Sequence, residues 1–121
     1  MIMENPTYSI MKVYSSSTDR LGSQLLYEAI VYKARDAGIS GVTVLRGIMG
    51  YGLSSHIHSS KFWELTEKLP VVIEMIDRQE TLERFYNLIE NELNSMPKGC
   101  LVTIEPVVVK LHKPGSKARN P

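Results

Sequence analysis

Two amphipathic helical segments alternate with strand-like runs along this chain of 121 residues, and that order limits the possible folds more than any other feature. The first helix is predicted to begin at the N-cap Ser23 and to stop at Gly38, with apolar residues recurring every third or fourth position between them. The second is predicted to begin at a capping box formed by Asp77 and Glu80, and to end before Pro97-Lys-Gly99. Each helix therefore has one apolar face that must pack against another layer.

Strand-like runs flank these helices at residues 8–14, 41–49, 70–76 and 101–111. Pro106 interrupts the last run, which predicts a bulge or an edge strand. The resulting order is βαββαβ. Because crossovers between strands are right-handed, this order predicts an α+β, ferredoxin-like fold with one four-stranded antiparallel sheet and both helices on one face.

The other face of that sheet also needs a cover. The third and fourth runs are apolar at nearly every position, as is typical of strands that are buried on both faces. The two predicted helices can cover only one face. We therefore expect self-association through the open face, and a closed ring is the usual form of a homo-oligomer.

Composition is that of an ordinary globular protein, with 43% hydrophobic and 22% charged residues. We predict one domain over residues 8–112, an N-terminal extension over 1–7 and a flexible C-terminal tail over 113–121. No apolar run approaches the ~20 residues of a membrane span and no signal-peptide layout is present, so a cytoplasmic protein is expected. A net charge of +1 argues against nucleic-acid binding, which needs a denser basic face.

The sequence contains no recognisable catalytic arrangement. The single cysteine, Cys100, excludes an internal disulfide and a thiolate cluster for zinc. It stands beside an apolar run and is expected to be a small buried residue rather than a nucleophile. An acid–base pair, a nucleophile elbow and a phosphate-binding lysine loop are all missing from the sequence, so the chain is predicted not to be an enzyme and to require no cofactor.

Glycines cluster at the end of the second strand-like run, at Gly47, Gly50 and Gly52. Bare backbone N–H groups can approach an anion closely, and a phosphate also needs a nearby cation. Arg46, Lys98 or Lys61 could supply that charge. The alternative is that these glycines only shape a tight turn and a bulge.

The segment that follows is a long loop, over residues 51–69, and it holds two further groups of candidate residues. One group is a histidine pair on the same side of an extended segment, which could supply part of a divalent metal site or could simply be solvated. The other is an aromatic and charged group that could anchor a partner protein or form a local packing cluster. The metal candidates are His56 and His58, and the partner-binding candidates are His56, Lys61, Phe62 and Trp63.

Motifs in order along the chain carry a family resemblance. They are Asp19-Arg20, Leu26-Tyr-Glu-Ala-Ile-Val31, the run 37–52 that ends in Gly50-Tyr-Gly52, and Leu69-Pro-Val-Val-Ile-Glu74. From about Ile10 to His112 the sequence resembles the uncharacterised family called domain of unknown function 190. More distantly, Gly41-Val-Thr-Val followed by Gly50-Tyr-Gly52 resembles the second-strand signature of nitrogen regulatory PII signalling proteins.

The PII resemblance implies a homotrimer of ferredoxin-like subunits that binds an adenine nucleotide in clefts between subunits, beside the base of a mobile loop. PII proteins also wrap the phosphates with a glycine-rich loop after the second helix, and here that connection is only Met96-Pro-Lys-Gly-Cys100. AMP or ADP is therefore favoured over ATP. The residues implied in nucleotide binding are Arg46, Gly47, Gly50, Tyr51, Gly52 and Lys98.

Together these features predict a cytoplasmic, trimeric, PII-like regulatory protein that binds an adenine nucleotide and signals through the loop 51–69 to a possible protein target. Two alternatives stay open. One is a divalent-metal-binding trimer that resembles the cation tolerance protein CutA, with His56 and His58 as ligands. The other is an adaptor that binds a partner protein and no small ligand.

Overall fold

The computed structural model describes residues 7–52, 57–59 and 68–116. Neither of the two helices in these ranges combines the length and the apolar composition that a membrane-crossing helix needs. In chain order the elements are Tyr8–Ser16 (β1), Arg20–Leu21 (β2), Gln24–Leu25 (β3), Leu26–Asp36 (α1), Val42–Arg46 (β4), Met49–Gly50 (β5), His58–Ser59 (β6), Pro70–Arg78 (β7), Gln79–Ser95 (α2) and Leu101–Val107 (β8).

Four strands form one antiparallel sheet in the order β4-β7-β1-β8. Residues of β1 and β7 alternate between buried and less buried positions, and the buried set packs with α1 and α2 in one cluster. Because successive side chains of a strand point to opposite faces, both helices lie on the same face of the sheet. The predicted ferredoxin-like α+β fold is confirmed. No described helix covers the opposite side, which we call the open face.

The first helix ends as predicted. α1 stops at Asp36, and Gly38 follows with a φ of +85°, a conformation that glycine adopts without strain. The N–H of Ile39 then donates to the carbonyl of Ala34 at 3.0 Å, which satisfies one of the last carbonyls of the helix.

The predicted N-cap of the first helix is wrong. Helix α1 begins at Leu26, and Ser23 lies in the turn that joins β2 to β3. Gly22 has a φ of +66° in this turn, and the Arg20 guanidinium donates to the Ser23 carbonyl at 3.0 Å. A serine hydroxyl can hydrogen-bond to nearby backbone groups both in a turn and at an N-cap, so the residue type does not distinguish the two. The pairing of β2 with β3 makes this segment a turn.

The capping box predicted for the second helix is also wrong. Helix α2 begins at Gln79, while Asp77 lies within β7. The Asp77 carboxylate accepts the N–H of Arg78 at 2.7 Å and the N–H of Ser40 at 3.0 Å. This aspartate therefore ties the end of β7 to the segment before β4, a partner that is distant in sequence.

Strand β8 forms an edge of the sheet, as Pro106 predicted. Proline cannot donate a hydrogen bond to a ladder, and an edge strand can tolerate that loss. The strand ends at Val107, earlier than the predicted residue 111. Strand β4, which precedes the loop 51–69 in the chain, forms the opposite edge. Strand β8 follows α2.

Candidate functional site

One end of the sheet gathers the glycine-rich segment and the connection that leads into β8. The register places Arg46 beside Val71 and Tyr14 beside Leu101. Residues 47–52 follow β4 and residues 96–100 precede β8, so both segments lie at this end. The structure therefore brings the two parts of the predicted nucleotide site to one end of the sheet.

Two of the three clustered glycines pack against a proline. A Cβ built at Gly47 would lie 3.1 Å from Cγ of Pro70, and a Cβ at Gly50 would lie at the same distance from that atom. The N–H of Gly47 also donates to the Pro70 carbonyl at 2.7 Å. These two glycines let the chain fold over the start of β7, which agrees with the alternative that they shape a turn.

Gly52 differs from the other two. No described atom lies within 4 Å of a Cβ built there, and the neighbouring Tyr51 is 69% exposed. Gly52 is not among the glycines with a positive φ, so its backbone is one that other residues also adopt. Neither packing nor backbone conformation requires glycine at this position, and the residue is exposed.

A short antiparallel ladder, which the sequence did not predict, closes the base of the loop. Met49 pairs with Ser59, and Gly50 pairs with His58. This pairing places the backbone of His58 beside the glycine-rich turn. A two-residue ladder leaves no periodic pattern in a sequence, because backbone hydrogen bonds rather than side-chain burial define it.

Two of the three candidate cations lie at this end of the sheet but at opposite edges, and the third, Lys61, lies outside the described residues. Arg46 ends β4, Lys98 precedes β8, and both side chains are exposed. The edges are separated by three inter-strand spacings, or roughly 14 Å. A single chain therefore does not place these two cations side by side.

A buried carboxylate organises the turn after β1. Asp19 is only 5% exposed, and its Oδ2 accepts the N–H of Ser16 at 3.0 Å. In the same turn the N–H of Ser17 donates to the Leu69 carbonyl at 2.9 Å, and the N–H of Leu69 donates to Ser17 Oγ at 3.1 Å. Leu69 is where the loop rejoins the sheet, so this turn fixes the far end of the loop. The polar run 15–20 predicts a turn, but it does not predict that this turn bonds to Leu69.

Cys100 is exposed, so the expectation of a buried cysteine is wrong. It precedes an edge strand, where one side lacks a neighbouring strand. Partial desolvation of the sulfur raises the pKa of the thiol, and the nearby Asp19 carboxylate raises it further. The thiol therefore stays protonated to a higher pH than that of a free cysteine, which opposes a nucleophilic role.

Alkylation of Cys100 by iodoacetamide at pH 8.5 is expected to be severalfold slower in the folded protein than in the urea-unfolded chain. The raised pKa lowers the fraction of reactive thiolate at that pH. Asp19→Asn removes the negative charge and should increase the rate in the folded protein. Mass spectrometry of timed samples measures both rates, and faster alkylation of the folded protein would contradict the raised pKa.

The remaining candidate residues are only partly placed. His56, Lys61, Phe62 and Trp63 lie outside the described residues, and of His58 only the backbone is described. Within residues 7–52, 57–59 and 68–116, no three His, Cys, Asp or Glu side chains are grouped as a metal site requires. The metal site and the partner-binding loop stay predictions.

Solved structures of PII-like proteins share this fold. A protein from Thermus thermophilus described as a PII-like signalling protein aligns with a TM-score of 0.58, covers 84% of this chain and 88% of its own, and is 13% identical. CPII, a nitrogen regulatory PII-like protein from Thiomonas intermedia solved with ADP, AMP and bicarbonate, aligns with a TM-score of 0.55 over 85% and 89%, at 12% identity. Identities this low establish a common fold.

Sequence comparison identifies closer relatives. A UPF0166 protein of Aquifex aeolicus is 37% identical over 100 residues, which are 83% of this chain and 94% of that protein. A UPF0166 protein of Methanocaldococcus jannaschii is 35% identical over 86 residues, or 68% and 79% of the two chains. Residues 8–109 match the profile of the DUF190 family, described as Uncharacterized ACR, COG1993. The chain is a member of the DUF190 family, as its motifs predicted.

Proposed function

We propose that this chain is a PII-like regulatory protein that binds an adenine nucleotide, with AMP or ADP favoured, in clefts between the subunits of a homotrimer. One observation carries the proposal: the glycine-rich turn and Lys98 lie at the same end of the sheet but at opposite edges. A cyclic assembly places one edge of each subunit near the other edge of the next. The β4 edge of one copy and the β8 edge of its neighbour can then form the two sides of one cleft.

In the proposed cleft, the backbone N–H groups of the exposed residues Tyr51 and Gly52 would face the phosphate, and Arg46 or Lys98 would supply positive charge. CPII, which was solved with ADP and AMP, supports the choice of adenine nucleotides for this fold. The connection over residues 96–100 provides little backbone to wrap a triphosphate. ATP is therefore expected to bind more weakly than AMP or ADP.

The loop 51–69 would report nucleotide binding to a protein target. Both of its ends are held by hydrogen bonds: the β5–β6 ladder holds the first, and the pair of bonds between Ser17 and Leu69 holds the second. A ligand bound beside Gly52 would contact the loop at its base. The bound ligand would then change which conformations the residues between the two ends can adopt.

Sedimentation velocity and isothermal titration calorimetry test this proposal. At micromolar concentration we expect three chains per particle, and binding of AMP and ADP that is tighter than binding of ATP, because the short connection leaves the third phosphate uncovered. Titrations with divalent metal salts provide the comparison with the metal-binding alternative. A monodisperse monomer, or no heat with any of the three nucleotides, would contradict the proposal.

A further inference from the structure

The open face of the sheet carries two apolar rows that run across the strands. One row pairs Ile76, which is 44% exposed, with Ile10, and the exposed Glu105 of β8 follows Ile10 in the same row. Three of the four residues in the other row are between 39% and 58% exposed. Exposed apolar side chains that are grouped in this way are typical of a face that another molecule covers. The second row consists of Leu45, Val72, Tyr14 and Leu101, aligned by the strand register.

A polar row lies between the two apolar rows. It consists of Thr43, Glu74, Lys12 and Thr103, again aligned by the register. Glu74 and Lys12 are half-buried and lie directly opposite each other on the two central strands. Cross-strand neighbours are close enough to form an ion pair. Nevertheless, neither residue has an ion-pair partner in the part of the chain that the structure describes, where the ion pairs join Lys33 to Glu92 and Arg35 to Asp36.

Covering the open face would remove both of these charges from water. An unpaired charge is costly to desolvate, so charges that become buried need partners. Each copy of the chain offers one cation and one anion in the same row of this face. In a cyclic assembly the lysine of one copy can meet the glutamate of the next, and both charges of this row then have a partner.

We infer that the open face binds further copies of this chain, and that Lys12 of each subunit forms an ion pair with Glu74 of the next subunit around the ring. The inference rests on the proposed trimer and on assembly through the open face, and it adds which charges align the subunits. The apolar rows on both sides supply buried area. The charges of the polar row oppose any alignment of subunits that brings like charges together.

Charge reversal distinguishes pairing between chains from pairing within one chain. Lys12→Glu leaves two acidic residues in the row, and Glu74→Lys leaves two basic residues. Each variant alone is expected to assemble at least about tenfold more weakly than the unchanged chain, because every contact in the ring becomes repulsive. In an equal mixture the variants should assemble again, because two of the three contacts in a mixed ring become attractive. Sedimentation velocity of each variant and of the mixture measures this effect.

Two further variants control for misfolding and for charge in general. Lys33→Glu makes the same substitution on the helical side of the molecule, where Lys33 pairs with Glu92 at 3.3 Å, and it should leave assembly unchanged. The double variant Lys12→Glu/Glu74→Lys reverses both charges in every chain and should assemble like the unchanged protein. Its assembly would show that the single variants fail through charge and not through folding.

The outcomes separate this inference from the proposed function. If the double variant assembles but the mixture of single variants does not, the two residues pair within one chain and the inference is wrong. Full assembly of both single variants would also overturn it, while the proposed nucleotide-binding trimer would stand. If the unchanged chain is a monomer, the proposed trimer and the inference fail together.

Discussion

Replacing Gly52 by valine is expected to lower the affinity for AMP and ADP at least about tenfold, because losing one charge-assisted hydrogen bond to a phosphate costs about that much. Gly52 is exposed, and a branched side chain there would block a phosphate that approaches its backbone. Thermal stability should not change, because no described atom lies within 4 Å of the new Cβ. Calorimetry and thermal unfolding of the variant measure the two effects.

Gly50→Val is the matched comparison, two residues away in the same turn. Here the new Cβ would lie 3.1 Å from Cγ of Pro70, a tight contact to which a branched side chain adds further atoms, so the variant should unfold at a lower temperature. A loss of nucleotide binding in this variant would therefore not by itself identify the phosphate position. If Gly52→Val binds AMP and ADP as the unchanged chain does, the phosphate does not approach this part of the turn.

Replacing Phe85 by alanine is expected to lower the free energy of unfolding by about 3–5 kcal/mol. Phe85 is 2% exposed and lies on the buried face of α2, within the core that both helices share with the central strands. Truncation removes buried apolar area and leaves a cavity that rigid neighbours fill only in part. Urea unfolding at a fixed protein concentration measures the loss, since assembly makes apparent stability depend on concentration.

Leu88→Ala is the control for that experiment, because it lies on the same helix and is 68% exposed. Its effect should stay within about 0.5 kcal/mol, as for other surface substitutions. A loss at Leu88 as large as the loss at Phe85 would mean that the outer surface of α2 is covered in solution. The open face would then not be the only surface through which the chain assembles.

Three regions of the chain are involved in different properties: folding, ligand binding and assembly. The core between the helices and the sheet stabilises the fold, and the end of the sheet exposes Gly52. The open face carries the polar row with Lys12 and Glu74. Each proposal can therefore be tested by a substitution outside the shared core. A variant at Gly52 should affect ligand binding, whereas a variant at Lys12 should affect assembly first and ligand binding only through it.

Several elements could be predicted because their signals are local. The apolar spacing in α1 and α2 and the stop at Gly38 each depend on residues a few positions apart. Ser23 and Asp77 were wrongly predicted as caps for the opposite reason. Both residue types form hydrogen bonds in several local settings, and Asp77 bonds to Ser40, which lies far from it in the sequence.

In the candidate site, too, some features could be predicted from local signals and others depend on residues distant in the sequence. The motif Gly50-Tyr-Gly52 predicted an unusual chain path at the end of a strand, and the chain does fold over Pro70 there. The different environments of these glycines depend on Pro70, which follows a long loop and is brought back by the sheet register. No local pattern distinguishes a glycine that packs against Pro70 from one that is open, so Gly50 and Gly52 were equivalent in the sequence.

By itself the sequence determined the βαββαβ order, the ferredoxin-like fold and the family, because apolar periodicity records which side of each element is buried and the motifs follow in order along the chain. Only the tertiary structure decided that Arg46 and Lys98 lie at opposite edges, that Cys100 is exposed and that Lys12 faces Glu74. These relations depend on strand order and register, which join residues that are far apart in the chain. Backbone pairing across the whole sheet sets them, and no short stretch of sequence contains them.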